Sequence, residues 1–139
     1  MRVLAVDYGA ARTGLAVSDF TGTIASPLTV IHERRFDVLV EKIAIAAKEN
    51  QVERIVVGNP IKLDSSVGGN SLKCCELGEK LRESVGVPVV MWDERFTTVS
   101  AHKIMNLNNR RGKKRKETID SVAAAVILDG YLESVKNKS

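Results

Sequence analysis

The hydrophobic period of this chain changes at Phe36, and that change limits what it can fold into. Before Phe36 the apolar residues come in runs of strand length. Val3 to Val6 are closed by Asp7 and Gly9, Gly14 to Ser18 make a second run, and Ile24 to Ile31 a third. Gly9 and the Thr21-Gly22 pair punctuate them, so the three read as an antiparallel meander. From Phe36 the spacing is helical: Phe36, Leu39, Val40, Ile43, Ala46 and Ala47 recur at three and four residues, predicting an amphipathic helix over 35–50. Ile55 to Val57 then form a buried strand stopped by Gly58 and Pro60. A second helix is predicted over 71–84 with Leu72, Cys75 and Leu81 inward, and a fifth strand over 87–92. Residues 98–107 read as helix, and a last helix over 119–135 buries Ala123, Val126, Ile127 and Tyr131. A meander followed by strand–helix crossovers predicts an α/β protein with a mixed sheet and helices on both faces. The 139 residues suit a single domain, 1–139.

Charge narrows the functional classes. Arg110, Arg111, Lys113, Lys114, Arg115 and Lys116 supply six positive charges, more than the whole net charge of +4, so the remainder of the chain is net negative. Basicity confined to one loop is either a solvated surface or a phosphate grip. The two cysteines, Cys74 and Cys75, are neighbours; on a helix they face different ways, build no disulfide framework and match no zinc spacing. One is expected in the core and one at the surface, in a reducing compartment. Met1 to Val6 is too short for a signal peptide, and no apolar run approaches the roughly 20 residues that span a bilayer. These features predict a cytoplasmic protein with no membrane partner. Aromatic residues make up only 4%, which argues against recognition of single strands by stacking, and Trp92 and Phe36 read as core. His32 and His102 carry no motif and read as surface or rim.

Three carboxylates stand out: Asp7 at the end of the first strand, Glu94 just after the fifth, and Asp120 near the start of the last helix. Carboxylates at the carboxyl ends of strands face the cleft where open α/β sheets bind ligands. Three such groups, with no histidine or cysteine cluster, make a hard-oxygen set suited to Mg²⁺ or Mn²⁺. In Asp7-Tyr8-Gly9-Ala10-Ala11-Arg12-Thr13-Gly14 the glycines permit a tight turn and close approach of a phosphate, although Asp and Gly also serve plain turns. In Asp93-Glu94-Arg95-Phe96-Thr97-Thr98, adjacent acids on extended chain point to opposite faces, so one of them reaches the metal. Glu94 is chosen, leaving Asp93 to pair with Arg95 or to support the ligand from behind. Thr97 and Thr98 are expected to cap the next helix. Thr118 reads as the N-cap of the last helix, which puts Asp120 in a first turn whose dipole favours negative charge. Gly58-Asn59-Pro60 opens a Gly- and Ser-rich loop to Asn70 that either contacts substrate or simply connects.

Asp7-Tyr8-Gly9 with Arg12 and Gly14, Gly58-Asn59-Pro60, Asp93 to Thr98, and Asp120 with Ala123-Ala124 together resemble one family across almost the whole chain. This is the YqgF family, a bacterial group whose members are named as pre-16S rRNA nucleases or Holliday junction resolvases. The resemblance implies an RNase H-like fold with strand order 3-2-1-4-5, strand 2 antiparallel. It also implies a nuclease using divalent metal in ribosomal RNA maturation or on branched DNA. On the motif match, Asp7, Glu94 and Asp120 hold metal and catalyse, Arg12, Asp93 and Arg95 support them or contact phosphate, and the basic run binds nucleic acid. The family's second motif usually continues Asp-Gly; here Asp64 is followed by Ser65 and Ser66, with Gly68 and Gly69 further on.

Two rival readings are weighed. Asp-x-Gly also handles ATP phosphates in sugar kinases and actin-like ATPases, but those need two domains closing on a nucleotide. A nucleic-acid-binding module in transcription or ribosome assembly would require a decayed site, and all three acids are present. A junction resolvase cuts two symmetric strands and favours a homodimer. Nothing in the sequence announces a dimer interface, so a monomer trimming an rRNA precursor is preferred.

Overall fold

A computed structural model describes residues 1–59, 69–93 and 113–137, with side chains except at 69–71, 93, 113–120, 136 and 137. Five strands form one sheet: β1 (Val3–Asp7), β2 (Arg12–Ser18), β3 (Ala25–His32), β4 (Arg54–Asn59) and β5 (Val89–Asp93). Three helices are described with them: α1 (Phe36–Glu49), α2 (Gly69–Val85) and α3 (Lys113–Asn137). The sheet order is β3-β2-β1-β4-β5; β1–β2 and β2–β3 are antiparallel, β1–β4 and β4–β5 parallel. The expected mixed sheet is therefore present, with the first strand of the sequence at its centre. No described helix is long and apolar enough to cross a membrane.

Alternation along the strands sorts the core into two layers. Leu4, Val6, Leu15, Val17, Ile55, Val57 and Val89 pack with Leu39, Val40 and Ile43 of α1 and with Cys74, Leu77 and Leu81 of α2. Val3, Ala5, Ala16 and Val56 pack on the other face with Ala124, Ala125, Ile127, Leu128, Tyr131 and Leu132 of α3. Both central strands are thus buried on two faces, which is why they read as unbroken apolar runs. α3 is fixed by its aromatic end: Arg54 donates to the Tyr131 hydroxyl at 2.5 Å, and Trp92 meets the Tyr131 ring edge-on at 5.9 Å. The α1–β4 turn passes through Gln51 in the left-handed region (φ 55°), and the N–H of Val52 bonds back to Ala47 at 3.1 Å.

Several expectations are corrected. The inward stripe of α2 is Cys74, Leu77 and Leu81, while Leu72 and Cys75 are exposed. One cysteine does fill the core, but it is Cys74. Ala123 is only half-buried; Ala124 and Ala125 are the fully buried pair. The last helix begins at Lys113, so Lys113, Lys114, Arg115 and Lys116 lie on helical backbone, and Thr118 is inside the helix instead of capping it. Lysine, arginine and glutamate are good helix formers, and nothing at Thr118 obliges the chain to stop. The predicted helix over 98–107 lies outside the described residues.

Candidate functional site

β1 ends on Asp7, and the backbone beyond it turns at once. A Cβ on Gly9 would lie 2.3 Å from the Arg12 carbonyl oxygen, so only glycine fits the turn. The Gly9 N–H donates to the Thr13 hydroxyl at 3.5 Å, and that hydroxyl lies 3.4 Å from the Gly9 carbonyl. The chain returns as β2 with Gly14 opposite Asp7. Gly14 thus serves the strand pairing, and the close approach belongs to Gly9. Asp7 is half-buried and Arg12 exposed.

The neighbouring strands finish at the same end. Val6 pairs with Val57, Gly58 with Trp92 and Asn59 with Asp93. The carboxyl ends of β1, β4 and β5 therefore lie side by side, with Asp7, Asn59 and Asp93 at their tips. Alternation gives Asp7 the parity of Val3 and Ala5, which face α3. On β5, Val90 and Trp92 pack on the α3 face and Val89 and Met91 on the other. Asp120 lies on α3, seven residues after Lys113 and so beyond the first turn. Its expected stabilisation by the helix terminus does not hold, because that effect fades within a turn. Helical spacing puts position 120 on the stripe of Ala124 and Ile127, which packs on the sheet.

The structure thus brings Asp7, Arg12 and the Asp93 backbone to one end of the sheet and sets α3 across the face to which Asp7 belongs. Glu94, Arg95, Arg110 and Arg111 lie outside the described residues, as do the side chains of Asp93, Lys113, Lys114, Arg115, Lys116 and Asp120. Among the described residues no three His, Cys, Asp or Glu side chains group to hold a metal. Asp7 itself, a hard carboxylate half-exposed at a strand end, fits the oxygen chemistry that Mg²⁺ or Mn²⁺ requires. His32, at the end of β3 in register with Arg12, is exposed as expected.

One neighbour was missed by sequence reasoning. Tyr8, directly after Asp7, packs edge-on against Phe36 at 6.1 Å on the α1/α2 face. Burial pushes the Tyr8 phenol up, with Cys74 and Glu76 adding to the effect. Its position between Asp7 and Gly9 was the available signal.

A family model described as "RuvX: Holliday junction resolvase" matches residues 1–134. A protein of Caldanaerobacter subterraneus subsp. tengcongensis, named "Putative pre-16S rRNA nuclease", is 43% identical over 99% of each chain. The Thermus thermophilus RuvC, solved in complex with Holliday junction substrate, superposes with a TM-score of 0.62 over 96% of each chain at 15% identity, a likeness of fold. A Thermus thermophilus ROK hexokinase superposes with a TM-score of 0.50 and 25% identity over 73% of this chain, but that covers only 38% of the hexokinase.

Proposed function

The chain belongs to the RuvX family and has an RNase H-like fold, and we propose that it is a divalent-metal-dependent nuclease that matures the 5′ end of pre-16S rRNA. The observation that carries this reading is the position of Asp7: the end of the central strand, with the ends of β4 and β5 beside it and α3 across the same face. Glu94 is preferred to Asp93 as the second carboxylate on the motif match that the sequence carries. From Tyr131 back to Asp120 is about 16 Å of helix, enough to match the roughly 13 Å rise of β1 from Val3 to Asp7.

Asp7, Glu94 and Asp120 would hold the metal, which when bound supplies an activated water and neutralises charge at the phosphate. Arg12, exposed beside Asp7, pairs with a non-bridging phosphate oxygen and stabilises the charge that grows there as the bond breaks. Asp93 orients Glu94 or holds Arg95, which serves the same phosphate. The cations of 110–116 grip flanking phosphates without reading sequence. The protein acts in this reading as one domain over 1–139, a monomer in the cytoplasm. ATP handling is disfavoured because the relatives that match over nearly their whole length are named as nucleases.

The test is cleavage of end-labelled substrates with Mn²⁺, Mg²⁺ or EDTA: a pre-16S leader RNA, a generic single-stranded RNA and a four-way DNA junction. Metal-dependent cutting lost in Asp7→Asn supports the reading. Preference for the junction would move the function to resolution of recombination intermediates, the activity for which the family is described. Salt-sensitive binding with no cutting by any metal would sink the nuclease reading in favour of a binding module.

A further inference from the structure

A second group of cations lies near the same end of the sheet, on its other face. Asp7 belongs to the α3 face; Tyr8, the next residue, belongs to the α1/α2 face and meets Phe36 at 6.1 Å. Lys73 Nζ lies 5.4 Å from the centroid of the same Phe36 ring, and Arg34 and Arg35 immediately precede it in the chain. Ring contacts therefore lead from Tyr8, the chain neighbour of the candidate carboxylate, through Phe36 to Lys73, and Arg34 and Arg35 adjoin Phe36 in the chain; the sequence left all three cations unassigned.

None of the three is held in a buried ion pair. Arg34 is exposed; its backbone bonds to Glu33, and its guanidinium meets no hydrogen-bonding or ionic partner among the described residues. Arg35 lies 3.3 Å from Asp37 and Lys73 3.9 Å from Glu76, but all four side chains are at least half exposed, and such pairs contribute little. Two other cations of these helices are occupied: Arg82 donates to the Val89 carbonyl at 2.9 Å and Lys42 to Glu33 at 3.1 Å. Glu33 is itself taken up by Lys42 and by the Arg35 backbone N–H, and Asp37 is the one carboxylate paired with either guanidinium among the described residues. Phosphate oxygens suit these groups: guanidinium offers a bidentate fork and ammonium a point charge.

We propose that Arg34, Arg35 and Lys73 form a phosphate-binding ledge that holds the nucleic-acid backbone on the α1/α2 side of the candidate active centre. The proposal rests on the nuclease reading of Asp7. The ledge lies on the sheet face opposite the one that α3 covers. The ledge contacts backbone alone and adds affinity without sequence preference.

The test compares full-length protein with Arg34→Gln/Lys73→Gln and with a control, Lys48→Gln/Lys80→Gln, which removes the same charge from exposed positions further along α1 and α2. Binding of labelled single-stranded and duplex oligonucleotides is read by fluorescence anisotropy in EDTA, between about 50 and 200 mM salt. The ledge variant is expected to lower the magnitude of the log K against log salt slope by up to about 1.8 on duplex or about 1.4 on single strands. It should melt like the wild type and raise KM with kcat unchanged, while the control keeps the wild-type slope. An unchanged slope in the ledge variant, an equal loss in the control, or a wild type that binds neither oligonucleotide overturns the proposal. Because binding is read without metal, a protein that binds through the ledge yet cuts nothing defeats the nuclease reading alone.

Discussion

At the tip of the β2–β3 hairpin, Asp19 accepts hydrogen bonds from the Thr21 hydroxyl at 2.5 Å, the Thr23 N–H at 2.8 Å and the Ile24 N–H at 3.1 Å. These bonds, the Thr21 hydroxyl first among them, hold its carboxyl down at about 2. Because the folded value lies below the unfolded one, the charged form stabilises the fold above about pH 4, and that contribution is lost as pH falls toward 2. Urea midpoints of the wild type and Asp19→Asn should therefore differ at pH 5 and converge on acidification; a gap constant from about pH 5 to 2 would show that the charge is not what matters. Asp7 makes a different prediction. Asn keeps the shape and removes the charge, so Asp7→Asn should fold normally and bind nucleic acid. It should lose cutting by at least about a hundredfold, since even groups that only support a metal ligand are worth 10–100-fold. Cutting within a few-fold of wild type would remove Asp7 from the centre.

α3 is the element on which the candidate site depends most, and its contact with the sheet is made by small residues. Ala124 and Ala125 are fully buried against β-strand residues that include Ala5 and Ala16. Ala124→Leu forces extra methylenes into that contact and should cost about 1–3 kcal/mol, read as a lower urea midpoint. It should also reduce cutting by more than binding, because the displaced helix carries Asp120. Much of this element was legible in the sequence, as were the strands, whose apolar runs are bounded by Gly, Pro and Asp. Helix faces and starts were harder. Leu72, Cys74, Cys75, Leu77 and Leu81 fit either of two stripes, and what decides is packing that the sequence does not state: a Cβ on Gly78 would lie 2.9 Å from Met91 Sδ. Thr118 looks like a cap, yet the residues before it sustain a helix by themselves. Asp7 could be placed because it ends a strand. Tyr8, Phe36 and Lys73 could not, because they converge from three elements through tertiary contacts.

Across the whole molecule, charge is distributed so that the basic run stands apart from a net-negative remainder. If all six of its cations met duplex DNA phosphates, log K would fall with log salt at a slope near −5, an upper bound since some cations stay solvated. Neutralising Lys113, Lys114, Arg115 and Lys116 together should remove up to about 3.6 of that slope and leave the melting temperature close to wild type. A wild-type slope near zero would take the run out of the binding surface.

The central position of β1 has a consequence for how the protein is made. It is synthesised before the other four strands, and although β2 covers one edge soon afterwards, the other edge waits for β4, about fifty residues later. At translation rates of about 5–20 residues per second, Val3 to Val6 spend several seconds with one edge unpaired and the face that α3 covers still open. During that interval the nascent chain presents a sticky ribbon to whatever lies at the ribosomal exit, and α3, which covers the second face, emerges only after all five strands.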